Sequence, residues 1–134
     1  MEIKRWDEGV LFEQNGGHMR WVFWPGSGYN SLTLHYSVLY PGESFNLHGH
    51  AYSDDIISVV QGSGKVLTAD GEKDIEAGMS LYARSGELHG FKNTGKVPML
   101  TIGSQSPADL KLYQIGGFNF ENNKNNGGET MSFA

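Results

Sequence analysis

The chain of 134 residues carries 15 acidic against 10 basic side chains, a formal charge of -5 with no basic stripe, which argues against nucleic acid or an anionic membrane surface as a partner. It contains no cysteine, so disulfides, thiolate nucleophiles and thiolate metal sites are excluded; a bound metal must take nitrogen and oxygen ligands, and five histidines become the inventory to follow. A 38% hydrophobic share suffices for one core, a 19% charged share is too small for a disordered chain, and the length leaves no room for a second core.

The opening MEIKRWDEGVLFEQ lacks the unbroken apolar run of a signal peptide, and no stretch approaches the roughly 20 apolar residues of a membrane span, so a soluble cytoplasmic protein is expected. MRWVFW at Met19 to Trp24 reads as an aromatic-rich strand closed by the turn Pro25-Gly26-Ser27-Gly28. Ser31 to Tyr40 alternates, with Leu32, Leu34, Tyr36, Val38 and Tyr40 on one face and Thr33, His35, Ser37 and Leu39 on the other, which predicts a strand broken at Pro41-Gly42. Ile56 to Val60, Lys65 to Ala69 and Met79 to Ala83 are further β-rich runs, separated by Gln61-Gly62-Ser63-Gly64 and by the hairpin signal Asp70-Gly71. Met99 to Gly103 and Leu110 to Ile115 bring the total to about eight to ten strands, the number used by barrels and double sheets, and no amphipathic helix is visible. Nineteen glycines against four prolines agree with short strands joined by tight turns. A single domain is expected over residues 1-117, followed by a tail over 118-134 whose Asn/Gly-rich part, Asn122 to Gly128, has little to bury and is expected to be mobile. Phe118 and Phe120 remain candidates for docking on the barrel or on a partner.

One constellation asks for a chemical explanation. In His48-Gly49-His50 the two imidazoles, two residues apart in an extended strand, face one side. Asp55 follows a short turn and can return a carboxylate to that side, and His89 comes from a separate strand. Imidazole and carboxylate suit first-row transition ions. A His-x-His pair by itself also occurs on plain surface strands.

The surrounding pattern resembles the two motifs of the cupin superfamily. Gly42, His48, His50, Asp55 and Gly62 stand at the spacing of the first motif, with Asp55 in place of its glutamate; Gly78, Gly86, His89 and Asn93 stand at that of the second, with Arg84 in place of its proline. The resemblance implies an all-β, double-stranded β-helix or jelly-roll cupin barrel in which His48, His50, His89 and Asp55 hold one divalent transition metal, whether Fe, Mn, Ni or Zn. The aspartate arm is one methylene shorter than glutamate, so ligation by three histidines with Asp55 orienting a histidine or a water is a second arrangement. Asp54 points to the opposite strand face. Arg84 bears on turn rigidity and also offers a cation to an anionic substrate.

By the same resemblance His35 is either a proton-transfer group looking into the pocket or an ordinary surface histidine. Phe91 shares the face of His89, and Thr101 lies on a late strand that lines such pockets. Phe45 is placed in the pocket by resemblance alone, since strict alternation turns Asn46 inward instead. His18 reads as an exposed loop residue, and Trp6, Trp21 and Trp24 as core or dimer interface. Similarity to small cupins implies an enzyme acting on a small oxygenated organic molecule that chelates the metal, dioxygenase-type first. The alternatives are a redox-silent isomerase, cyclase or lyase using Zn or Ni, and a non-catalytic ligand-binding barrel. A homodimer is implied as well.

Overall fold

A computed structural model describes residues 1-110, and its regular elements are ten strands and two 3-10 turns, at Trp6–Glu8 and Pro25–Ser27. The strands are β1 (Val10–Gln14), β2 (Gly17–Phe23), β3 (Leu34–Leu39), β4 (Ser44–His48), β5 (Asp54–Gln61), β6 (Ser63–Thr68), β7 (Gly71–Glu76), β8 (Ser80–Ala83), β9 (His89–Lys92) and β10 (Met99–Ser106). They form two antiparallel sheets: six strands in the order β1-β2-β3-β10-β5-β8, and four in the order β4-β9-β6-β7. The strand sequence crosses repeatedly from one sheet to the other, which is the double-stranded β-helix, or jelly roll, expected from the motifs.

The six strands expected within the described residues are all present. β1, β4, β7 and β9 have no counterpart in the apolar runs, and of these β4 and β9 carry the motif histidines His48 and His89. β7, GEKDIE, is an edge strand in which Ile75 alone is buried, so its sequence carries almost no hydrophobic signal. The hairpin anticipated at Asp70-Gly71 joins β6 to β7, with Thr68 paired to Gly71 across Ala69 and Asp70. The strand expected over Leu110 to Ile115 falls, beyond Leu110, outside the described residues, as does the tail 118-134 with its Phe118, Phe120 and Asn122 to Gly128. Among the described residues no helix is long and apolar enough to cross a membrane.

Between the sheets a buried cluster of Phe12, Trp24, Leu39, Phe45, Val59 and Met99 fills one part of the barrel. Burying side chains of this kind stabilises the fold by about 1.5–3 kcal/mol each. The first-motif glycine at the end of β5, Gly62, has φ +82 and packs so closely that a Cβ would stand 2.5 Å from the Pro98 carbonyl oxygen. Only glycine meets both demands. Asn93 of the second motif is fully buried and ties three segments: its Nδ2 donates to the carbonyls of Leu39 and Val97 at 2.8 Å each, and its Oδ1 accepts from the Gly95 N–H at 2.8 Å.

The alternating strand β3 turns in an unexpected direction for its composition. Its polar side, His35 and Ser37, is buried together with Thr33 just before the strand, whereas Leu34, Tyr36 and Val38 are half-exposed on the outer sheet face. β10 does the same, with Thr101, Gly103 and Gln105 inward and Leu100 and Ile102 outward. The two strands are adjacent, Tyr36 opposite Ile102 and Val38 opposite Leu100. A polar interior strip therefore lies against the region where the motif histidines enter.

Candidate metal centre

Four side chains from three strands and one loop converge. His48 is the last residue of β4 and pairs in register with His89, the first residue of β9. His50 lies in the loop beyond β4, held by a hydrogen bond from the Gly86 N–H to its carbonyl at 2.7 Å. Asp55 is the second residue of β5. The expectation that strand parity alone aligns His48 with His50 is corrected: the strand has ended before His50, and the loop brings the ring inward. Ring centroids are 5.0 Å apart for His48 and His50, 4.5 Å for His48 and His89, and 5.3 Å for His50 and His89. One potential ligand atom from each of the three imidazoles lies within 4.8 Å of the others.

The second ring nitrogens determine what the first can do. Nδ1 of His48 meets the Asn46 carbonyl oxygen at 2.7 Å, and Nδ1 of His89 meets the Glu87 carbonyl oxygen at 3.0 Å. A carbonyl oxygen only accepts, so both Nδ1 atoms carry the proton and both Nε2 atoms keep a lone pair. Nδ1 of His50 meets Oδ2 of Asp109 at 2.9 Å, which leaves its Nε2 in the same state. Oδ2 of Asp55 stands 3.1 Å from His50 Nε2 and 3.0 Å from His89 Nε2, and its Oδ1 is buried without a hydrogen-bond partner among the described residues.

Neutral imidazoles have no second N–H to offer Asp55, so these contacts require a positive charge between the lone pairs, either an added proton or a cation. The three imidazole donors and their spacing, with the orphaned Asp55 oxygen beside them, fit a divalent ion; Asp55 stands against the Nε2 atoms of His50 and His89 but outside the three-histidine group, the placement expected of a carboxylate that orients a histidine or a water.

Burial governs the electrostatics. His48 is held near 4, below the ordinary imidazole value, because burial penalises the cation. At His50 burial pulls downward too, but the hydrogen bonds and charges of Asp55 and Asp109 outweigh it and the value is raised. Burial pushes the Asp55 carboxyl up, yet its contacts with the His50 and His89 rings, where a positive charge is shared with it, hold it well below the usual carboxylate range.

A cavity of ≈ 30 Å³ adjoins these four side chains, with His35, Ser37, Phe45, Phe91, Thr101 and Gln105 among its walls. His35 is thus an interior residue, which removes its reading as a surface histidine. Its ring stands edge-on to Trp21 at 5.7 Å, its Nδ1 is buried without a partner among the described residues, and burial holds it neutral with a value of about 4. Gly103 makes room for it, since a Cβ there would lie 2.7 Å from the ring. The hydroxyls of Ser37 and Thr101 are hydrogen-bonded to each other. Phe45 is buried and Asn46 exposed, contrary to simple alternation: the β4–β9 register shifts between Phe45 and His48, so both turn inward although three residues apart.

Other expectations separate. His18 lies on β2 rather than in a loop and is half-exposed, 3.1 Å from Glu13. Arg84 is absent from the cavity wall and rests over the Tyr82 ring, 5.9 Å from its centroid. Asp54 faces away, accepting from the Ser85 N–H at 2.8 Å and from the Tyr82 hydroxyl. Trp21 and Trp24 are core residues, whereas Trp6 is exposed and stacked on Tyr36. Ser37, Gln105 and Asp109 are the site residues that sequence reasoning missed. Period-two alternation from Thr101 would have found Gln105; nothing local points to Asp109.

Residues 35–103 match the family Cupin_2, described as "Cupin domain". The chain belongs to the cupin family. This cupin is 33% identical over 95 residues to the tetracenomycin polyketide synthase protein TcmJ of Streptomyces glaucescens, a match that covers 70% of this chain and 64% of TcmJ. Among solved structures, it resembles a predicted oxalate decarboxylase from Thermotoga maritima with a TM-score of 0.68, at 23% identity over 79% of this chain and 99% of that one. It resembles the polyketide cyclase RemF from Streptomyces resistomycificus with a TM-score of 0.67, at 18% identity over 79% of each chain. At these identities the structural likeness carries the fold alone.

Proposed function

We propose that this cupin is a metal-dependent enzyme that cyclises or isomerises a small polyketide-like molecule bearing neighbouring carbonyl or enol oxygens. The observation that carries the metal is the meeting of one ligand atom from each of His48, His50 and His89 within 4.8 Å, with the Asp55 carboxylate against the His50 and His89 rings. The substrate class is supported by the likeness to TcmJ, named as a polyketide synthase protein, and by the shared fold of RemF, named as a cyclase. A groove of ≈ 570 Å³ between β7 and β8 shares His89 with the inner cavity and is lined by Val66, Ile75, Leu81 and Leu88, which gives an apolar substrate body the volume typical of ligand sites.

His48, His50 and His89 would hold the ion, with the Asp55 carboxylate beside it. When bound, a divalent metal polarises substrate oxygens and stabilises the negative charge that develops on them. His35, neutral and buried with a free Nδ1, accepts a proton from the carbon beside the carbonyl and returns it elsewhere on the skeleton. Trp21 holds the ring edge-on, and the Ser37 and Thr101 hydroxyls offer hydrogen bonds to a substrate oxygen that reaches the cavity.

The dioxygenase reading uses the same side chains and is favoured by one observation, an inner cavity of ≈ 30 Å³, which suits a diatomic gas or about two waters better than an organic ring. Turnover of β-diketones and of a linear poly-β-ketone mimic, in air and under nitrogen, separates the two. Equal rates with Zn or Ni under both atmospheres support cyclisation or isomerisation, and strict oxygen dependence with Fe supports dioxygenation. Failure of the metal-loaded protein to surpass its His48→Ala variant on all of these substrates removes both. Ligand binding that persists unchanged after chelation returns the protein to the non-catalytic reading.

We also propose that it forms a homodimer through the outer face of the six-stranded sheet. Tyr36, Val38, Leu100, Ile102 and Ile56 make a contiguous apolar plate there, flanked by exposed Trp6 and Tyr82.

A further inference from the structure

We infer that Asp109, on the loop after β10, is a positioning residue of the metal centre that orients His50 and strengthens it as a ligand. This rests on the metal-binding reading above. The three imidazoles are not supported alike: the Nδ1 atoms of His48 and His89 are fixed by neutral backbone carbonyls, whereas that of His50 is fixed by an ionisable carboxylate at 2.9 Å. His50 is thereby gripped from both sides, by Asp109 at Nδ1 and by Asp55 at Nε2, 3.1 Å away.

The grip is preorganised by the loop. The Asp109 N–H donates to the Gln105 side-chain oxygen at 2.6 Å, and Gln105 is buried directly opposite Asp55 in the β10–β5 register. Ala108 is buried and its N–H donates to the Asn30 carbonyl at 2.9 Å; the Ser106 hydroxyl donates to the Ser31 carbonyl at 2.8 Å. The Asp109 side chain is 19% exposed, so its charge acts on the ring largely shielded from water. A carboxylate accepting the Nδ1 proton fixes the tautomer with its lone pair on Nε2 and raises the electron density there. Around a divalent ion the two aspartates together also match the charge, leaving the buried centre neutral with three uncharged imidazoles.

The test is metal affinity and the Co(II) ligand-field spectrum of the full chain, measured by chelator competition with Zn(II) and Co(II). Asp109→Ala should bind Zn(II) about 10–100-fold more weakly and shift the Co(II) bands. Asp109→Asn, which keeps an acceptor oxygen but loses the charge, should fall between it and the unaltered protein. Glu13→Gln, on the far surface beside His18, should leave both readouts in place. If both Asp109 variants bind Zn(II) within twofold of the unaltered protein with unchanged Co(II) bands, Asp109 only closes its loop and the inference is overturned, whatever happens to the melting temperature of the metal-free protein. An unaltered protein that binds neither ion overturns this inference together with the metal-dependent function.

Discussion

His35 is a buried, neutral imidazole, and its cost on acidification can be worked out. Its value is about 4, with burial the largest cause and the nearby Asp55 carboxylate opposing, against 6.5 in an unfolded chain. Because the folded-state value is the lower one, its contribution to stability is complete above pH 6.5 and is lost as the pH falls toward 4, where the unfolded chain takes up the proton first. Between pH 7 and pH 4.5 these two values remove about 2 kcal/mol through this one ring, a large share of a typical stability of about 5–15 kcal/mol. Urea denaturation of chelator-treated protein at the two pH values, for the unaltered chain and for His35→Leu, isolates the ring because the other groups titrate in both. The variant should lose about 2 kcal/mol less on acidification. Equal losses in the two proteins would mean that the imidazole is hydrated or charged in the fold, and the proton-transfer role proposed for it would go with that result.

Three other perturbations follow from the packing. Asn93→Ala deletes three hydrogen bonds of a buried side chain and leaves the Leu39 and Val97 carbonyls and the Gly95 N–H short of a partner; a loss of about 2–4 kcal/mol is expected in chemical denaturation, and Asn93→Asp, which cannot donate, should not restore it. Gly103→Ala places a methyl 2.7 Å from the His35 ring, so it should cost about 1–3 kcal/mol and cut turnover by displacing that ring, with Zn(II) affinity retained. Sedimentation equilibrium should find the unaltered protein paired as proposed and Ile102→Lys, in the middle of the outer apolar plate, monomeric; an unaltered protein that is already monomeric at micromolar concentration refutes the proposed pairing.

The barrel and the candidate histidine cluster were legible because they rest on local chemistry written at fixed spacing. Gly42, Gly62, Gly78 and Gly86 all have positive φ, a turn requirement that glycine answers at least cost, and His48, His50, Asp55 and His89 are residue types with little other reason to recur at those intervals. Hydrophobic patterning, by contrast, could not by itself say which side of β3 and β10 faces inward. There the apolar sides face out and the polar sides face in, because the interior beside the histidines is a cavity wall rather than core.

What the amino-acid order settled alone is therefore the class of fold, together with the histidines that the structure brings into one cluster. Tertiary structure decided the rest: that Phe45 rather than Asn46 turns inward at a register shift, that His35 is interior, and that Asp109 meets His50 from 59 residues away. The division has a physical reason. Ligand type and turn geometry depend on neighbours along the chain, whereas burial, the direction a strand faces and a carboxylate behind an imidazole depend on neighbours across the barrel, whose positions exist only once both sheets have closed.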